Sequence, residues 1–372
     1  MMMTKEFAAV FLIFAIACTS EQAETGLQTQ YESDLRILEV AGVIGVEMGE
    51  AEYVFGAIQA IGHNSSGEVA VLDRISANVR FYSRSGEYLR TVSHRGEGPG
   101  ELINPLAMCL WPDGRISILD PMRGGFFGFT NEGEYLGVEL EISRNAHLNT
   151  IAVSDSEFVA VKNRLSFEGD TGSITIFIGL FPVATVPSVT YWEKELPFDL
   201  MRVGDQFLDY YLYTSWTADQ NNGNVYISLF NETDYEILCF NQSGDLLNTI
   251  TMDLEPVEKT EAEILGEIDY VTAFITALEG GEPQFNVECT PFPYRLPVSE
   301  LCVDSQGNIW ARRGTTDEPF FDIWTAEGDL VGQAVLNGVG RESRSWNFIM
   351  DAGGILAYDE NPALFQQIFI IE

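Results

Sequence analysis

Three features predict that this 372-residue chain is an all-β protein, a six-bladed β-propeller of four-stranded antiparallel blades. A pattern of glycine, alternating apolar strand, variable loop, second strand and glycine turn recurs in four segments. Two looser copies bring the count to six. The strand-like segments at the two ends of this region lack partners of their own and can pair with each other.

Residues 1–20 read MMMTKEFAAVFLIFAIACTS. Lys5 lies in a short polar start, and Phe7–Ala17 is an apolar run of secretory length, too short to span a bilayer. Residues 1–17 therefore read as a signal peptide. The sequence Ala15-Ile16-Ala17-Cys18 resembles the lipobox of bacterial lipoproteins, in which the cysteine thiol takes the lipid as a thioether. An ordinary signal peptide cut after a small residue is the alternative. The resemblance implies lipidation at Cys18 and an exported cell-envelope lipoprotein, periplasmic or surface-facing. With Thr19 rather than Asp after the cysteine, it implies the outer membrane. Residues 18–33 are polar and suit a flexible tether.

Residues 34–372 are expected to form the propeller. The segment Arg36–Val46 is strand-like and unpartnered. Blade 1 is built on Gly67 and Gly86, blade 2 on Gly114 and Gly133, blade 4 on Gly223 and Gly244, and blade 5 on Gly307 and Gly328, intervals of 19, 19, 21 and 21 residues. Val69/Val71, Ile116/Ile118 and Val225/Ile227 alternate with the period of two that strands require. Ser-Gly-Glu, Glu-Gly-Glu and Ser-Gly-Asp turns place a residue tolerant of positive φ between successive strands. Residues 149–189 supply blade 3 without the glycine register, and residues 346–372 supply three strands of blade 6. Arg36–Val46 is expected to provide the missing fourth, closing the ring and hiding its edges.

The run His94-Arg95-Gly96-Glu97-Gly98-Pro99-Gly100-Glu101-Leu102-Ile103-Asn104-Pro105 leads into a strand, a glycine turn and an Ile-x-Ile-x-Asp strand ending at Asp120. This arrangement resembles the NHL-type six-bladed β-propellers and, more narrowly, the exported bacterial 6-bladed β-propeller lipoproteins. The resemblance covers residues 34–372. It implies a fold rather than an activity, because propellers host many unrelated functions.

Twenty Lys+Arg against 56 Asp+Glu give a net charge of −36, which excludes a nucleic-acid partner and leaves the membrane to be met through the lipid anchor alone. With 46% hydrophobic residues the chain is nonetheless too apolar for an acidic disordered protein. Lysine is confined to Lys5, Lys162, Lys194 and Lys259. Such a surface suits salty surroundings or simply keeps a tethered protein soluble. A monomer is expected.

Beyond Cys18, Cys109, Cys239, Cys289 and Cys302 are spread too widely for a disulfide framework, and no Cys/His set has zinc-ligand spacing. Cys109 and Cys302 occupy equivalent inner-strand positions in opposite blades and read as separate core residues; a Cys289–Cys302 pair stays open. The Arg95–Glu101 loop lacks the phosphate-binding lysine and is expected to cross between blades, with Arg95 tying carboxylates of neighbouring blades, or else to bind ligand. His63, His94 and His147 are expected in loops or on the surface.

Residues 255–297 interrupt the repeat between blades 4 and 5. Ile264, Ile268, Val271, Ile275 and Leu278 predict a helix that caps a face or lines a binding mouth. Phe292 and Tyr294 follow, leading to Trp310, Arg312 and Arg313. These residues, with Arg95, are the candidate ligand contacts, set against a reading of core packing and internal ion pairs.

Two functions follow. One is an envelope-anchored binding or scaffolding module for a peptide, protein or glycan, with no catalytic residue and no cofactor. The other is a divalent-metal hydrolase or lyase, because a resemblance to lactonase-like propellers would imply Ca2+ held by oxygen ligands at the axial channel. Stabilisation by Ca2+ would favour the enzyme, and a channel plugged by side chains would favour the binder.

Overall fold

The computed structural model describes residues 35–142, 148–168, 171–199, 202–209, 213–228, 233–279, 287–359 and 364–372. Two short strands, β1 (Leu35–Leu38) and β2 (Val40–Ile44), precede the blades. Blade 1 comprises β3 (Ile58–His63), β4 (Val69–Asp73), β5 (Asn78–Tyr82) and β6 (Tyr88–Val92). Blade 2 comprises β7 (Ala107–Leu110), β8 (Ile116–Asp120), β9 (Gly125–Phe129) and β10 (Tyr135–Glu141). In blade 3 these are β11 (Leu148–Ala152), β12 (Glu157–Glu168), β13 (Thr171–Pro182) and β14 (Val189–Phe198). The short helix α1 (Val203–Phe207) leads to blade 4: β15 (Ser215–Ala218), β16 (Val225–Ser228), β17 (Tyr235–Phe240) and β18 (Leu246–Met252). After α2 (Glu261–Glu279) comes blade 5: β19 (Glu300–Val303), β20 (Ile309–Arg312), β21 (Phe320–Trp324) and β22 (Leu330–Leu336). Blade 6 contains β23 (Trp346–Asp351), β24 (Gly354–Asp359) and β25 (Ile368–Ile371). Each blade is an antiparallel meander whose first strand lies innermost.

Alternation along each strand puts apolar side chains on both faces of a blade, so the core is divided into wedges between neighbours. Ala70 and Leu72 face blade 2, whereas Val69 and Val71 face blade 6. Equivalent clusters fill the other four interfaces. A seventh cluster, including Phe207, Leu208, Val271 and Ile275, lies under the inserted helices. The eight glycines that revealed the repeat all sit at φ between 75° and 96°, where a Cβ is disfavoured.

Ring closure differs from expectation in one respect. The Arg36–Val46 segment breaks at Glu39 into two strands that serve different blades. β2 is the fourth strand of blade 6, antiparallel to β25, while β1 adds a fifth strand to blade 5, parallel to β22. Glu39 exchanges backbone hydrogen bonds with Glu372 at the crossing. The N-terminal segment therefore clasps the two blades that flank the closure.

Blade 3 also exceeds its expected bounds, running to Phe198. β12 and β13 are 12 residues each, against 5 in β4 and β5. At about 3.3 Å per residue the excess raises a hairpin roughly 20 Å beyond the blade. The extension projects on the face where the inner strands begin.

Candidate functional site at the axial channel

All six inner strands run in one direction, so the ring has a start face, where they begin, and an exit face, where they end. Between the faces lies a cavity of about 1010 Å³, lined by every inner strand. The channel is thus open rather than plugged, contrary to the expectation attached to the binding reading.

The start face is roofed by α2. Thr260 and Glu263 form a reciprocal capping box: the Thr260 N–H donates to Oε2 of Glu263 at 2.9 Å, and the Glu263 N–H donates to Oγ1 of Thr260 at 3.3 Å. Val271 and Ile275 bury one face of the helix, and Phe207 of α1 meets Phe274 with ring centroids 4.7 Å apart. Glu263, Gly266, Glu267 and Tyr270, on the adjoining face, line the cavity.

Ion pairs fasten this roof to the ring. Glu263 accepts from Arg295 Nε at 2.9 Å and from Arg344. Asp317 joins the same two arginines, at 3.3 Å and 2.9 Å. Lys259 reaches Glu267 at 2.7 Å and lies 5.2 Å from the centroid of the Tyr213 ring. The Tyr213 hydroxyl donates to Glu267 at 3.1 Å and accepts the Phe292 N–H at 2.8 Å. Burial first, then the charge of Glu267, pushes this phenol above its ordinary range.

The candidate contacts read from the sequence are distributed unevenly. Phe292 stacks on Tyr213 with centroids 4.1 Å apart, beside the cavity. Tyr294 forms an isolated backbone bridge with Glu258 at the base of the insertion. Arg312 is buried, donating to the carbonyls of Trp346 (2.8 Å) and Ser343 (2.7 Å) and to Glu300 (3.3 Å). Burial draws its pKa below the ordinary guanidinium value. Arg313 makes two 2.7 Å bonds to fully buried Asp322. Trp310 is buried and donates to Asp304 at 3.0 Å.

Arg95 lies away from the channel and meets carbonyls rather than the expected carboxylates. It donates to Ile75 (2.7 Å), Ile103 (2.8 Å) and Arg74 (3.3 Å), because the carboxylates nearby are already engaged. Glu101 folds onto the Gly98 N–H and His94 within its own loop. Asp120 is fully buried and accepts backbone N–H groups from the connector before blade 2 and from the turn after its own strand, from Asn104 at 3.0 Å and Met122 at 3.0 Å. Cys18 and His147 lie outside the described residues.

On the exit face His63 corrects the surface reading. Its side chain is 5% exposed, with Nδ1 2.6 Å from Oδ1 of Asp351. His63 and Asp351 sit where blade 1 meets blade 6, which makes their pairing a tertiary event. Asp219 and Asp304 end neighbouring inner strands and hold the turns that follow, accepting the N–H groups of Asn221 (2.8 Å) and Gln306 (2.9 Å). Cys109, Cys239, Cys289 and Cys302 are all free, and Cys302 donates to the Phe348 carbonyl at 3.2 Å, so the Cys289–Cys302 alternative is not adopted.

Among the described residues no three His, Cys, Asp or Glu side chains converge on a point that could hold a metal ion. The acids of the channel are occupied by arginines, a lysine, a histidine and turn N–H groups. Sequence reasoning missed Lys259, Glu263, Glu267, Arg295 and Arg344. The available signal was the rarity of lysine, since Lys259 immediately precedes the helical run.

No family model matches the chain, and no curated protein matches it. The likeness lies in the fold. An exported-protein candidate of Bacteroides fragilis superposes with a TM-score of 0.50 at 10% identity, covering 92% of this chain and 97% of that one. A member of the DUF4221 family from Bacteroides vulgatus gives 0.52 at 9% identity, covering 90% and 97%. The calcium-binding protein regucalcin from Agrobacterium tumefaciens aligns at 10% identity over 90% and 95% of the two chains, but its TM-score of 0.45 carries no argument about activity. The chain is a six-bladed β-propeller. No helix among the described residues is long and apolar enough to cross a membrane.

Proposed function

We propose that this propeller is an exported binding module, tethered to the outer membrane through Cys18, whose peptide, protein or glycan ligand is held in the axial channel beneath α2. The observation that carries the reading is the roofed cavity of about 1010 Å³, which is of ligand-binding size and lined by every inner strand, with aliphatic side chains from blade 2 and aromatic or polar groups from the other five blades. Trp216 and Trp346 contribute aromatic walls, and Asn149, Thr217 and Asn347 contribute neutral hydrogen-bonding groups. The metal-hydrolase alternative has no convergent set of three His, Cys, Asp or Glu side chains among the described residues to support it.

Gly266 provides the test. It lines the cavity, and nothing lies within 4 Å of the point where a Cβ would stand. Gly266→Trp should fill the space while keeping the helix, since glycine is the poorer helix former. Panels of peptides and oligosaccharides are titrated by calorimetry, with the Trp216 and Trp346 fluorescence as a second readout. A ligand of the wild type should lose at least tenfold in affinity for Gly266→Trp, and undiminished binding refutes the channel as the site. A Ca2+-dependent rise in Tm, reversed by chelator, would return the enzyme reading. The tether has its own check: Cys18→Ser should abolish acyl labelling and release the protein from the membrane fraction.

A further inference from the structure

Resting on that reading, we infer that the channel takes a short zwitterionic peptide, its carboxylate at the start face and its ammonium group at the exit face. The Lys and Arg side chains lining the cavity are gathered at one end of its axis, whereas acids line both ends. All five Lys and Arg side chains that line it, Lys259, Arg295, Arg312, Arg313 and Arg344, lie at the start face. They are a quarter of the 20 cations in the sequence, gathered at one mouth of a protein with 56 acids. Asp219, Asp304 and Asp351 line the opposite end, where His63 is the only basic side chain of the lining.

At the start face Glu263, Glu267 and Glu300, with Asp317 and Asp322 behind them, balance the five cations. The potential therefore rises from net acidic at the exit face to balanced at the start face, and a dipolar ligand has a preferred direction. One of the start-face cations, Arg344, also retains donor capacity. Arg344 gives one N–H to Glu263 and one to Asp317, and its buried Nε has no acceptor among the described residues. A ligand carboxylate can join this network as a further bidentate acceptor after a small shift of the side chain.

Length and wall chemistry agree with a peptide. The inner strands are 4 to 6 residues long. At about 3.3 Å per residue they span roughly 13–20 Å, the length of an extended peptide of about four to six residues. Thr150, Thr217, Asn149 and Asn347 supply uncharged groups between the ends, suited to peptide amides. A neutral glycan would leave the one-sided placement of the cations unused. An acidic one would be repelled by the net charge of −36, whereas a zwitterion experiences only the local gradient.

The experiment uses the full propeller and three probes: penta-alanine with free termini, a pentapeptide pool randomised at its three central positions, and maltopentaose. Each peptide is also prepared N-acetylated and C-amidated. Calorimetry at low salt should show the free peptides binding, with amidation and acetylation each weakening binding at least fivefold. Arg344→Met should remove the amidation penalty selectively, and the isosteric Asp351→Asn the acetylation penalty. If doubly capped peptides bind as well as free ones, or if neither free peptide binds, the inference is overturned. Maltopentaose binding that is blocked by Gly266→Trp, with no peptide binding, overturns the peptide while preserving the channel. Peptide binding that is insensitive to Gly266→Trp instead overturns the channel reading itself.

Discussion

The connector between blades 1 and 2 and the connector between blades 4 and 5 both carry conspicuous charge, but they resolve it differently. In the first, Arg95 is spent on backbone carbonyls, Glu101 on its own loop, and Asp120 on backbone N–H groups. In the second, Lys259 pairs with Glu267 and Arg295 with Glu263 across the insertion, Arg344 of the blade 6 approach and Tyr213 of the blade 4 approach join them from outside it, and the group borders an open cavity. Charges satisfied by local backbone stiffen a corner and enclose no cavity. Charges satisfied by distant side chains hold a roof over a space, and their arrangement survives only in the intact ring.

Four changes test that contrast. The largest effect should come from Arg313→Met, which leaves the fully buried Asp322 carboxylate without its main partner. A loss of about 3–5 kcal/mol in denaturant-measured stability is expected, and a change below about 1 kcal/mol would mean the pair is dispensable. Asp120→Ala should cost about 2–4 kcal/mol, since it strips acceptors from several backbone N–H groups, yet leave ligand affinity intact in the protein that remains folded. Ile275→Ala should reverse that pattern. Its loss of about 2–4 kcal/mol falls on the cluster beneath α2, so amide exchange should accelerate in the roof before the blades.

The smallest effect concerns Glu68, which lies between blades 1 and 2. Its hydrogen bond with Arg90, at 2.6 Å, holds its pKa below the ordinary 4.5, against the opposing effect of burial. A depressed carboxyl stabilises the fold fully above pH 4.5 and loses that contribution as pH falls through its folded value. Glu68→Gln should therefore flatten the acid limb of the stability curve below about pH 4.5 by under about 1 kcal/mol. An unchanged acid limb would assign that sensitivity elsewhere.

Legibility in the sequence followed the range of the interaction. Paired glycines 19 and 21 residues apart disclosed the blades because each turn needs a local positive φ, and all eight adopt it. The α2 helix was legible in the spacing of Val271 and Ile275, which became its buried face. Blade 3 was harder, since its long hairpin carries no glycine register and its strands run to 12 residues. The break at Glu39 was invisible because Leu35–Leu38 and Val40–Ile44 are equally strand-like, and the two partners that divide them, β22 and β25, lie about 300 residues away.

Sequence by itself determined the repeat, the number of blades, the inserted helix and the acidity, because periodicity, turn chemistry and net charge are local or additive properties. Tertiary structure decided which cations meet which acids. Glu263 finds Arg344 from 81 positions away, and His63 finds Asp351 from 288. Such encounters are fixed by closure of the ring, which brings the ends of six inner strands around one axis and makes a cavity from residues that no local pattern connects.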